Sequence, residues 1–197
     1  MGRRALSRLA GAKGGVIMKK GLICAAVILA VVLPVAQAAN AQQVPPPASR
    51  AGKFVFGAGL GLQGDTPDAT AFSLGLSGDY FLTHEVSIGP LLQMGFTGDL
   101  FQLGLSAQAK YTLDLPQIPK LKPHFEAGIG FAYADLDQGG NRGADDASFI
   151  IPVGVGAEYK LSERVSLDTT LFFNFTDLNV RDENFFITWL VGVKIPF

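Results

Sequence analysis

From Lys53 to Phe197 the chain alternates hydrophobic and polar or small positions with a period of two. In 53–63, Phe54, Phe56, Ala58, Leu60 and Leu62 share one face, and Val55, Gly57, Gly59 and Gly61 the other. In 71–82, Phe72, Leu74, Leu76, Tyr80 and Leu82 oppose Ala71, Ser73, Gly75, Ser77 and Asp79. In 86–97, Val86, Ile88, Leu92, Met94 and Phe96 oppose Ser87, Gly89, Gln93, Gly95 and Thr97. In 101–113, Phe101, Leu103, Leu105, Ala107, Ala109, Tyr111 and Leu113 oppose Gln102, Gly104, Ser106, Gln108, Lys110 and Thr112. The second half repeats the plan over 123–133, 149–160, 165–176 and 185–197. In the last of these Phe185, Ile187, Trp189, Val191, Val193, Ile195 and Phe197 form an unbroken apolar set. Successive side chains of a strand point to opposite faces, so the pattern predicts eight strands with one greasy face each. Each runs about 10–13 residues, the length of a tilted bilayer span.

The connections alternate in kind. Thr83-His84-Glu85 and Ser162-Glu163-Arg164 are tight, and 114–121 is a longer turn stiffened by Pro116 and Pro119. The intervening connections are 64–70, 98–100, 135–146 and 177–184. Tyr80 to Ile88 and Tyr159 to Leu167 align as one repeated strand–turn–strand corner. When the strands run alternately up and down, the outward aromatics sort by height. Phe54, Tyr80, Tyr111, Phe125, Tyr159 and Phe197 fall near one rim, and Phe72, Phe96, Phe101, Tyr133, Phe149, Phe175 and Phe185 near the other. Two aromatic girdles are what a barrel in lipid requires, and a soluble sandwich has no reason to sort its rings this way. The expected fold is all-β: an eight-stranded antiparallel up-and-down transmembrane barrel.

The amino terminus places that barrel in an exported chain. The apolar run from Leu22 to Val35 follows Lys19-Lys20 and ends in small residues around Ala39-x-Ala41. It is shorter than the roughly 20 residues of a spanning helix and has the three parts of a secretory signal. We therefore expect residues 1–41 to be an extension plus cleavable signal peptide, with Met18 the natural start. Residues 42–51 are expected to be a proline-rich periplasmic lead-in, and 52–197 the barrel. Six of the 16 Lys and Arg precede residue 42 and all 17 Asp and Glu follow it. Ten cations against 17 acids leave the exported part at −7, which argues against a nucleic-acid partner. The sole cysteine, Cys24, lies in the signal, so the exported part has no disulfide or thiolate metal site.

On the alternating strands, the tyrosine corners and the terminal Phe197, residues 52–197 resemble the small eight-stranded outer-membrane barrels of the OmpA-like, OmpX and opacity type. The resemblance implies a location in the bacterial outer membrane. It also implies contact with outer-membrane lipid and lipopolysaccharide, and a monomeric, non-catalytic structural or surface role. Phe197 would be the signal read by the barrel-assembly machinery. A small solute channel or carrier is the alternative, and a lipid A-modifying enzyme a more remote one. The only two histidines, His84 and His124, map to the periplasmic end, away from where such an enzyme works.

The inward face carries its own chemistry. Lys53, Asp79, Lys110, Glu126, Glu158, Lys160, Asp168 and Lys194 all have inward parity in the periplasmic half, with His124 beside them. An eight-stranded barrel is just wide enough for its side chains to fill it, and buried charges need partners. The expectation is a structural ion-pair plug. Inward glycines (Gly57, Gly59, Gly61, Gly75, Gly128, Gly130, Gly154, Gly156) would leave room for water in the outer half, or relieve crowding. No cofactor is implied. The run from Asp135 through Asp137 to Asp146 has acidic spacing like a calcium loop, without the flanking helices, and is a weak metal candidate.

Overall fold

The computed structural model describes residues 49–66, 69–138, 141–178 and 183–197; side chains at 66, 69, 136–138, 141–144 and 183 are excluded. The expected signal peptide and all but the last residues of the lead-in lie outside the described residues. Eight strands follow in order: β1 (Phe54–Thr66), β2 (Ala69–Phe81), β3 (Val86–Phe96), β4 (Leu100–Thr112), β5 (Leu121–Gln138), β6 (Asn141–Lys160), β7 (Ser166–Leu178) and β8 (Glu183–Pro196). Each pairs antiparallel with its sequence neighbours, and β1 pairs with β8 through Val55↔Pro196 to Gly64↔Ile187, closing the barrel. Closure leaves no unpaired sheet edge, which a hydrocarbon environment demands.

The repeated corner is one hydrogen-bonded device. At the β2–β3 turn the Thr83 hydroxyl accepts from the Glu85 and Val86 amides at 3.2 and 2.9 Å. At the β6–β7 turn the Ser162 hydroxyl accepts from Arg164 and Val165 at 3.3 and 3.1 Å. A short hydroxyl side chain that satisfies the turn amides explains why both corners use Thr or Ser at that place. The β3–β4 connection at the opposite rim repeats it, with Thr97 accepting from Asp99 and Leu100.

β5 and β6 differ from expectation. They run 18 and 20 residues, and their ladder continues through Asp135↔Asp145 and Leu136↔Ala144 to Gln138↔Asn141. The hairpin passes beyond β7, whose last pair with β6 is Ile150↔Thr176. The stretch expected to be a loop is therefore an extended hairpin. The candidate calcium ligands Asp135 and Asp146 sit on its two strands, and the side chain of Asp137 lies outside the described residues. A laddered pair of strands cannot wind around an ion as a calcium loop does.

The outer surface is apolar, with Ile129 and Phe131 at 66% and 77% exposure. Eleven of the thirteen expected girdle aromatics are exposed, and Phe96 and Phe185 are half-buried; most sit toward the strand ends, whereas Phe149 lies near the middle of the long β6. Phe54↔Tyr80 and Tyr111↔Phe125 pair at the end near the termini, Phe72↔Phe96 and Phe175↔Phe185 at the other. Rings touch across strands: Phe96–Phe101 at 5.5 Å and Phe175–Phe185 at 5.4 Å between centroids.

The inward face is packed, not open. Leu100, Ala132, Ala134, Ile150, Leu178 and Phe186 form an apolar cluster toward the end away from the termini, and Leu91, Phe172 and Leu190 a second one deeper in. Between and around them lie buried amides and hydroxyls. Gln63 bonds Gln102, Gln93 donates to Asn174 at 3.2 Å, and Asn174 donates to Thr188 at 3.0 Å. The glycines thus do not hold a water-filled outer half. They are sockets: Phe172 lies over Gly154, Leu190 over Gly75, His124 over Gly156, and Gln108 over Gly128. Small residues facing large ones is how a narrow barrel fills its interior.

If the bulky face meets lipid, Ile129→Arg should cost about 2–4 kcal/mol of barrel stability, the penalty of a cation at mid-bilayer. Denaturant unfolding from phospholipid vesicles measures it, and an unchanged midpoint would refute that orientation.

Candidate functional site

The strands bring most of the expected inward charges into a closed ring. Lys110 on β4 donates to Asp79 of β2 at 2.9 Å and lies 3.2 Å from Glu126 of β5. Glu126 faces His124 Nε2 at 3.4 Å, and His124 Nδ1 lies 3.9 Å from Asp168 of β7. Lys194 of β8 bonds Asp168 at 2.7 Å and returns to Asp79 at 4.0 Å. Thr170 closes the gap beside His124: its hydroxyl donates to Asp168 at 3.1 Å, so it accepts the Nε2 proton of His124 at 3.1 Å. Inward parity on five strands, at nearly one height, is what puts these groups together. Lys110, Asp79, Glu126 and His124 are all buried, so each charge depends on its neighbour.

Glu158 stands next to this ring and directly opposite Asp168 in the β6–β7 ladder. Two carboxylates facing each other across strands repel, and each needs its own cation. Asp168 has Lys194. Glu158 has Arg50, whose Nη2 bonds both carboxylate oxygens at 3.0 Å. Sequence reasoning missed Arg50 because it precedes the alternating pattern. Two expected members are corrected. Lys53 is exposed ahead of β1 and takes no place in the ring, because the inward run begins only at Val55. Lys160 is at the rim, where its ammonium reaches down to Glu163 of the turn at 3.0 Å instead of up into the barrel.

Above the ring is a cavity of about 40 Å³, lined by Gly57, Gly59, Gly75 and Gly192 and by Leu91, Phe172 and Leu190, with Lys110, Glu126, Asp168 and Lys194 at its edge. It has room for a few waters. The apolar cluster of Ile150, Phe186 and Leu100 lies between it and the external end.

A second polar group lies at the turns near the termini, where Lys122, of inward parity on β5, stands opposite Glu158 in the β5–β6 ladder. His84 accepts the Arg50 amide at Nδ1, 3.2 Å, and therefore carries its proton on Nε2, which donates to Asp114. Lys122 pairs with the other Asp114 oxygen. Partial burial alone would raise the Asp114 carboxyl, but the Lys122 ammonium and then His84 outweigh it and hold it below its usual range. Among the described residues no three His, Cys, Asp or Glu side chains converge as a metal site.

Removing Lys110 leaves Asp79 only the distant Lys194 at 4.0 Å and Glu126 only His124 at 3.4 Å, so Lys110→Met should destabilise by about 3–5 kcal/mol. Lys53→Met should leave the denaturant midpoint unmoved, because Lys53 lies outside the ring. For Asp114, a depressed folded value means its stabilisation is present above the ordinary carboxylate range and lost as pH falls through that depressed value. Asp114→Asn should therefore lower the midpoint at neutral pH and make little difference in strong acid.

No curated protein matches the chain in sequence. Solved structures do match in shape. Neisserial surface protein A has a TM-score of 0.62 at 19% identity, covering 76% of this chain and 99% of that one. The N-terminal barrel domain of Pseudomonas aeruginosa OprF gives 0.56 at 17%, covering 75% and 98%. The attachment invasion locus protein Ail of Yersinia pestis gives 0.55 at 14%, covering 75% and 99%. At such identities the likeness speaks for the fold alone. A family model described as the outer membrane protein beta-barrel domain matches residues 25–194. The chain belongs to that family, which implies a place in the bacterial outer membrane.

Proposed function

We propose that the protein is a non-catalytic outer-membrane barrel with a structural or surface-interaction role in the envelope. The observation that carries this reading is the sealed lumen: an apolar cluster at the external end, a layer of bonded amides and an ion-pair ring in series. A barrel filled in this way transmits no solute and instead offers its outer surface and its projecting ends. The β5–β6 hairpin, which runs past β7, is the part best placed for surface contact, with exposed Asp135 and Asp145 facing each other on it. Both histidines are engaged at the periplasmic end, His84 by Arg50 and Asp114 and His124 by Thr170. That supports a non-catalytic role.

The partners follow from the same surface. The apolar wall and aromatic girdles meet outer-membrane lipid and lipopolysaccharide, and the chain needs no second copy to complete its barrel. Phe197, exposed and tied to Phe54 through its amide at 2.8 Å, is the residue offered to the assembly machinery. The residues before Arg50 act as an export signal and lead-in.

Planar-bilayer recording on the protein purified from outer membranes tests the reading. No defined unitary conductance is expected. A reproducible conductance step that is lost when a bulky residue replaces Gly59 would overturn it in favour of a channel.

A further inference from the structure

The four residues ahead of β1 form a tight turn. The Lys53 amide bonds the Arg50 carbonyl at 3.0 Å, and Gly52 sits at the third place with φ 77°. That is the left-handed value a type II turn requires there, and glycine adopts it without strain. The turn is fixed to the end of β2 by the Gly52 amide on the Phe81 carbonyl at 2.8 Å and by the Phe81 amide on the Lys53 carbonyl at 3.0 Å. The Arg50 amide is held by His84 at 3.2 Å. So anchored, the Arg50 side chain enters the barrel mouth. Its guanidinium lies 4.3 Å from the centre of the buried Phe81 ring, and its Nη2 donates to both Glu158 oxygens. Among the described residues, Lys110, Lys194, Lys122 and Arg50 are the cations of the lumen and its mouth; Lys122, opposite Glu158 in the ladder, is taken by Asp114, and of the four Arg50 alone lies outside the strands.

The geometry points to a strap: residues Arg50 to Lys53 close the periplasmic mouth of the barrel, with Arg50 as a removable counter-charge. Lys110 and Lys194 cannot leave without breaking the wall. Arg50 can, because only the turn and its bonds to Phe81, His84 and Glu158 hold it. Displacing the segment before the barrel would uncover Glu158 beside Asp168 and turn a neutralised mouth into an anionic one. The chain ahead of the barrel is thereby coupled to the state of the lumen entrance. This goes beyond the proposed role, since a barrel sealed at its external end can still have an open or a closed periplasmic mouth.

Ser87 is the place to watch it. Its side chain is fully buried, it pairs with Phe81 and Lys110 in the ladders, and its hydroxyl has no hydrogen-bond partner in the protein, so Ser87→Cys removes no bond. In the otherwise cysteine-free exported chain, the rate at which a small cationic methanethiosulfonate modifies this thiol reports access to the mouth. Folding of each protein is checked by its heat-dependent gel mobility. Arg50→Ala should speed modification at least tenfold, and Glu158→Gln should speed it as well. Where Arg50→Ala does not fold, Arg50→Lys, which loses the flat guanidinium stacked on Phe81, should still give a several-fold increase. Unchanged rates in the folded variants overturn the strap. They leave the sealed-lumen reading intact, and a conductance step in the native protein would overturn that reading without touching the strap.

Discussion

Eight strands closed into a cylinder leave an interior only about as wide as the side chains that point into it. Everything distinctive in this protein follows from that shortage of space. The wall cannot host a large inward residue at every position, so glycines lie under Phe172, Leu190, His124 and Gln108. The tightest case is Gly89, where a side chain would run into the Gly78 carbonyl of the adjoining strand. Nor can the interior hydrate its charges freely, so Asp79, Lys110, Glu126, His124, Asp168 and Lys194 satisfy one another around a ring. A ring has an advantage over isolated pairs. Lys110 faces two carboxylates and Asp168 faces Lys194 and His124, so each buried charge has more than one partner.

The lipid side of the fold was legible in the sequence because there only one property matters. Every outward position must be apolar, so Phe54 to Leu62 or Ile187 to Phe197 announces its face by parity alone. The lumen obeys no such single rule. It accepts glycine, serine, amides, ion pairs and also large apolar groups. Where an inward apolar residue adjoins an outward one, as in Ile150-Ile151, Phe172-Phe173 and Phe185-Phe186, both faces look alike and alternation loses its contrast. Such inward apolar groups, Ile150, Phe172 and Phe186 among them, belong to the clusters that fill the lumen, where the inward glycines had left water or relief of crowding as alternatives. The charge ring was visible because charged residues stand out at inward parity. Lys53 and Lys160 share that parity but lie at the rim, where a long flexible side chain turns toward solvent or a turn carboxylate. The length of β5 and β6 was hidden for a different reason. Asp135 to Asp146 is polar on both faces, as an extended hairpin beyond the hydrocarbon has to be.

Arg50 could not be found by periodicity at all. It belongs to a turn, and its role depends on where Gly52, Phe81, His84 and Glu158 come together in space. Inward parity balanced four carboxylates against four lysines, so no deficit showed in the sequence. It appeared only once the structure placed Lys53 and Lys160 at the rim and paired Lys122 with Asp114, which left Glu158, opposite Asp168, to take its cation from outside the strands.

The lumen is also graded along its axis. Ion pairs occupy the periplasmic part, amides the middle, and Leu100, Ile150, Leu178 and Phe186 the external part. The order follows from what each layer requires. Charged groups are the costliest to dehydrate, so they lie where the mouth is closed only by a turn and where residual hydration is nearest. Amides carry no net charge and tolerate deeper burial, even at Gln93 and Gln108, whose side-chain oxygens have no partner in the protein. Apolar groups need no partner and make the tightest seal, and they stand at the end away from the termini. With the seal at the external end and the ionic layer at the other, a movable element has an effect only at the periplasmic mouth, and the chain places its Arg50 turn there.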